Sequence, residues 1–158
     1  MFLKKQNKSF KKLFISASAF LLSACTTLTP PPCATPANEK VVIRWGLQNE
    51  NSTILSGYHL DAQAQLFEIP GPTVASSDMD KLGNVDGEKY CRLAELVRQR
   101  FLKAQTVNVP NPEAAFIEYA NPKVGLYWRA VWIPKYAQHT GQNFQQLYDS
   151  LQTLVPKD

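Results

Sequence analysis

Two histidines, three cysteines and one aromatic strand carry most of the chemistry this 158-residue chain could perform. A metal would need His, Cys, Asp or Glu at ligand spacing. His59 and His139 stand far from one another and from any cysteine pair of that kind. His59 reads as a strand residue, and His139 as part of the loop before the last helix. There is no Gly-x-Ser-x-Gly elbow, no glycine-rich phosphate loop and no His-Glu-x-x-His. A Ser–His–Asp triad is set by geometry rather than by order in the chain, but nothing singles out a particular serine. Asp78-Met79-Asp80 with Gly83-Asn84 has the outline of a calcium loop. It fails at Leu82, which offers no oxygen, and at Lys89, where a bidentate Glu is required. No catalytic residue, metal or cofactor is assigned.

The segment Leu126-Tyr127-Trp128-Arg129-Ala130-Val131-Trp132-Ile133 is the most informative internal stretch. Strand alternation puts Leu126, Trp128, Ala130 and Trp132 on one face, and Tyr127, Arg129, Val131 and Ile133 on the other. The tryptophan face reads as core. The second face is either covered by loops or open to a partner. Tyr and Arg are enriched where interfaces concentrate their binding energy, so Tyr127 and Arg129 are the partner-binding candidates.

Residues 1–12 hold five lysines and no acid, and an apolar run from Leu13 to Leu22 ends in Ser23 and Ala24. A basic start, a short apolar stretch and a small-residue exit describe a secretory signal peptide. The run is shorter than the roughly 20 apolar residues that cross a bilayer. Leu22-Ser23-Ala24-Cys25 resembles the lipobox of bacterial lipoproteins. That resemblance implies cleavage before Cys25, a diacylglyceryl group on its thiol and usually an acylated amino terminus. Because one acyl chain alone holds only marginally, two or three together make a durable anchor. In enterobacterial lipoproteins an Asp after the lipidated Cys retains the protein at the inner membrane. Thr26 stands there, so the resemblance implies the inner leaflet of the outer membrane, with the protein facing the periplasm.

Removing residues 1–24 takes five of the 17 Lys and Arg and none of the 13 acids, which leaves 12 against 13 and a net charge of −1. The basic balance of the whole chain belongs to the leader, so nucleic acid is not an expected partner. With Cys25 lipidated, Cys33 and Cys91 form an even pair in an oxidising compartment and are expected to make a disulfide. The alternative is two free thiols, with Cys91 buried in a helix.

These features need a scaffold. The expected organisation is a signal peptide over 1–24, a lipidated Pro-rich tether over 25–40 and one domain over 41–158. Val41–Leu47 reads as a strand. Gly57–Leu60 and Gln65–Ile69 read as a hairpin around Asp61-Ala62-Gln63-Ala64, where Asp at the first turn position bonds the backbone ahead of it. Residues from about Asp86 to Ala104 carry Tyr90, Leu93, Val97 and Phe101 at helical spacing, acids first and bases last. Strands follow at Ala115–Ala120 and Gly125–Ile133. A last helix spans about Phe144 to Leu154, with Asn143 and Gln146 suited to cap it. Pro70–Val85 is left as a long connection. The order β-β-β-α-β-β-α predicts an α+β fold: a mainly antiparallel sheet of about five strands with two helices on one face.

The expected function is a non-catalytic, lipid-anchored envelope role: binding a protein or an envelope polymer, or structural support. One alternative is an inhibitor of a protease or a lysozyme-like hydrolase. The other is a small envelope hydrolase built around His59 or His139.

Overall fold

The computed structural model describes residues 29–72, 79–104, 107–137 and 140–157. Cys25, Thr26, Asp78 and His139 lie outside them. The strands are β1 (Val42–Gln48), β2 (Ile54–Leu60), β3 (Gln65–Ile69), β4 (Asp80–Asn84), β5 (Ala114–Asn121) and β6 (Leu126–Trp132). They form one six-stranded sheet in the order β4-β3-β2-β1-β5-β6, antiparallel throughout. The helices are α1 (Gly87–Lys103) and α2 (Thr140–Gln152). The expected α+β architecture is present, with one strand more than expected.

That extra strand is β4, inside the stretch expected to be a connection. Asp80-Lys81-Leu82-Gly83-Asn84 has no apolar alternation, because it lies at the sheet edge and is mostly exposed or half-buried. Its pairing comes from backbone bonds to β3, with a register shift between Leu66 and Phe67, and such edges carry little side-chain signal.

Alternation decides which face is covered. Ile43, Trp45, Leu60, Ile117, Ala130 and Trp132 are buried in the main core. Helix α1 is capped by Asp86, whose side chain accepts the Lys89 amide at 2.9 Å, and buries Tyr90, Leu93, Val97 and Phe101. Phe144, Leu147 and Leu151 of α2 join the same core. The last helix begins one turn before the expected boundary. Asn143 therefore sits inside it rather than capping it, and accepts a hydrogen bond from Arg100 at 2.8 Å. In the β2–β3 turn, Asp61 Oδ1 accepts the Gln63 and Gln65 amides at 2.9 and 2.8 Å, as its type and place require.

The expected disulfide joins Cys33 to Cys91 across 58 residues. It fixes a strap. Pro31 is buried, Asn38 donates to the Cys33 carbonyl, and Asn121 donates to the Ala37 carbonyl, each at 2.9 Å. Glu39 pairs with Lys123. Residues 31–40, the second part of the expected tether, are thus fastened to the fold at these points while staying mostly exposed.

At the centre of the sheet two glycines face one another. Gly46 pairs with Gly57, and a Cβ on Gly46 would lie 2.2 Å from the Ser56 carbonyl oxygen and 2.5 Å from the Gly57 Cα. Gly46→Ala must push β1 and β2 apart, and it should cost about 2–3 kcal/mol. Urea unfolding checks this; a change below about 0.5 kcal/mol would show that the strands yield freely. Replacing Cys33 and Cys91 together by Ala should cost about 2–4 kcal/mol through the freed loop. It should appear as a lower urea midpoint, and an unmoved midpoint would mean that the strap holds without its covalent bond.

Candidate functional site

The sheet face away from the helices carries a row of side chains set by register alone. Phe67 of β3 pairs with His59 of β2, His59 with Arg44 of β1, Arg44 with Glu118 of β5, and Glu118 with Arg129 of β6. Alternation puts all five on one surface. Below the row, Ala114, Phe116 and Val131 form a small apolar cluster with Ile54 against it. The second face of β6 is therefore apolar at Val131 and polar at Tyr127 and Arg129.

Glu118 is the hub. Its side chain is only 9 % exposed and accepts Tyr127 Oη at 2.9 Å. Arg129 Nη1 lies 3.1 Å from its Oε1, and Arg44 Nη1 lies 3.7 Å from its Oε2. One buried carboxylate thus faces two guanidinium groups, leaving one positive charge in excess. Burial in the first place, and the Glu118 carboxylate in the second, push the Tyr127 phenol above its ordinary value and keep it a donor.

The two arginines are held differently. Arg129 also donates through Nη2 to the buried Gln48 side-chain oxygen, and its guanidinium stands 5.5 Å over the Phe116 ring. This grip orients it and leaves its side chain 26 % exposed. Arg44 has looser contacts, 3.7 Å to Glu118 and 3.4 Å from Nε to His59 Nδ1, and its side chain is 37 % exposed. It borders a groove of about 330 Å³ with Val42, Glu118, Ala120, Pro122, Gly125, Leu126 and Tyr127. Tyr127 is 58 % exposed. A groove of this size, mostly apolar with a few charged groups, is of the kind that receives a ligand or a partner side chain.

Comparison with protein-family models, with curated proteins and with solved structures finds no match. The site therefore rests on its own geometry. Both candidates from sequence, Tyr127 and Arg129, meet at Glu118. Arg129 is the more committed of the two arginines, and the more available cation is Arg44, which the sequence reading passed over. A signal was present: Arg44 is the single charged residue in Val41–Leu47, as Glu118 is in Ala115–Ala120. Two lone charges of opposite sign, each in an apolar strand, invite pairing across a sheet.

His59 stands beside this cluster rather than in an acid–base pair. It is buried, packs edge-on against Phe67 at 5.7 Å, and accepts from Arg44. Arg44 separates it from Glu118. Among the described residues no group of three or more His, Cys, Asp and Glu side chains comes together to hold a metal.

Burial first, and the Arg44 charge second, lower the His59 pKa from 6.5 to about 4. Above pH 6.5 the ring is neutral whether the chain is folded or not, and it adds no pH dependence. As pH falls from about 6.5 to about 4, only the unfolded chain takes up the proton, so stability is lost over that window. The loss levels off below it, at about 3 kcal/mol. His59→Gln should flatten this part of the profile, which urea midpoints from pH 7.5 to 4 would reveal. Parallel profiles for the two proteins would show that His59 is protonated when folded.

Proposed function

We infer that this chain is a lipid-anchored, non-catalytic envelope lipoprotein that binds a protein or an envelope polymer through the open face of its sheet. The observation that carries the binding site is the Arg44–Glu118–Arg129–Tyr127 cluster, with its surplus positive charge beside an exposed tyrosine and a mostly apolar groove. The lipobox-like Leu22-Ser23-Ala24-Cys25 supports the anchor. The Cys33–Cys91 disulfide suits an oxidising envelope compartment. Among the described residues no helix is long and apolar enough to cross a membrane. The outer membrane, with the sheet in the periplasm, follows from Thr26 under the sorting pattern of enterobacterial lipoproteins.

Binding is favoured over catalysis by how the charges are used. Glu118 is occupied by two guanidinium groups and by the Tyr127 hydroxyl, and His59 accepts from an arginine, so neither is paired with a nucleophile as an acid–base site requires. Arg44 and Tyr127 supply what recognition needs: an exposed planar donor beside an aromatic edge.

The test is a crosslinking pull-down of the mature lipidated protein from its own envelope, repeated with Arg44→Gln and with Tyr127→Ala. Each change should weaken capture of the partner about 5- to 100-fold, as for interface residues worth about 1–3 kcal/mol. Undiminished capture by both variants, with their far-ultraviolet spectra unaltered, would remove the open face as the site.

A further inference from the structure

We propose that the end of the sheet formed by the β5–β6 turn rests against the lipid surface, with Val124 at the depth of the headgroups. This rests on the lipid-anchor reading and adds an orientation to it. Antiparallel pairing gathers the start of β1, the β2–β3 turn, the end of β4 and the β5–β6 turn at one end of the sheet. The start of α1 lies there too, since it follows β4 directly and carries Cys91.

The strap is held at that same end. Pro31 is buried, and a Cβ on Gly87 would lie 3.1 Å from Pro32 Cδ and 3.5 Å from Pro31 Cα. Between Cys25 and Pro31 only Thr26 to Pro30 intervene. Fully extended, at about 3.3–3.6 Å per residue, such a piece reaches no more than roughly 20 Å. A lipidated Cys25 sits at the membrane surface, so the end holding Pro31 cannot leave it by more than that.

The surface at this end fits the neighbour. Pro122–Val124 is a short 3-10 turn closed by Gly125 in the left-handed region, with nothing within 4 Å of the space a Gly125 Cβ would take. Val124 projects there at 59 % exposure. Lys123 precedes it and pairs with Glu39, next to the exposed Lys40, while the β2–β3 turn and the start of α1 bring Asp61, Asp86 and Glu88 to the same end. An exposed aliphatic side chain next to a lysine, whose stem can lie along apolar surface while its charge stays in water, is suited to the boundary between headgroups and acyl chains. The opposite end of the sheet has its own exposed aliphatic residue, Val109, held beside the end of β6 by a bond to the Val131 carbonyl. With the first end down, the strands stand upright, and the Arg44 groove, whose walls include Pro122 and Gly125 of that turn, opens sideways directly above the headgroups.

The test uses the mature lipidated protein in vesicles of phosphatidylethanolamine and phosphatidylglycerol. A nitroxide is attached at Val124→Cys in one preparation and at Val109→Cys in another. Collisions with dissolved oxygen, relative to those with a water-soluble nickel complex, should be several-fold higher at 124 than at 109. Equal ratios, or a higher ratio at 109, overturn the orientation. Flotation with the vesicles, compared between the parent and Cys25→Ala, reads the anchor separately. If both fail to float, the anchor reading falls and this proposal falls with it.

Discussion

Phe101 and Phe144 hold the molecule to a single-sided design. Their rings lie 5.3 Å apart between α1 and α2, and each reaches the sheet: Phe101 stacks on Trp128 at 5.9 Å, and Phe144 on Trp132 at 6.1 Å. Tyr119 extends the line to β5 through Trp128 at 5.6 Å. This ladder joins both helices to β5 and β6 and settles which side of the sheet is dry. Aromatic pairs add to the burial of their own large areas, so the helices have one favourable seat. Everything on the other face follows from their absence there.

A face without a helix layer must still deal with what the strands point at it. Here part is apolar, at Phe116 and Val131, and part is charged. Glu118 is nearly covered, and a covered carboxylate is tolerated only when it is paired. Arg129, Arg44 and Tyr127 meet that demand together, while Gln48 and Phe116 keep Arg129 in line. The surplus guanidinium character falls at Arg44, next to the groove. One electrostatic requirement thus explains both the local order of β1, β5 and β6 and the availability of a cation at their surface.

Much of this architecture was legible beforehand. The strands with clean alternation, the α1 face and the Asp61 turn stand where their residue types demand. What escaped was written in the backbone or in three dimensions. β4 has no apolar pattern because an edge strand needs none. The start of α2 lies ahead of its first buried residue, in a polar turn whose Asn143 looks like a cap but serves Arg100. Tyr127 and Arg129 could be assigned to a face from β6 alone. Their common partner, Glu118, could not, because register between β5 and β6 is not a property of either segment. The lone charges in β1 and β5 were the missed clue.

The strap alters how the fold meets mechanical load. β1 lies in the middle of the sheet, bonded on both sides, and residues 34–41 lead directly into it. Were that lead the sole connection, a tug on the N-terminal segment would unzip the sheet from its centre, one pair of bonds at a time. The Cys33–Cys91 bond intercepts the tug before it reaches β1 and hands it to α1. A helix seated by Tyr90, Leu93, Val97 and Phe101 resists by shearing a whole packed surface at once. The Cys33–Cys91 crosslink acts as a strain relief, so that force applied ahead of Cys33 would be borne by the core rather than by its most central strand.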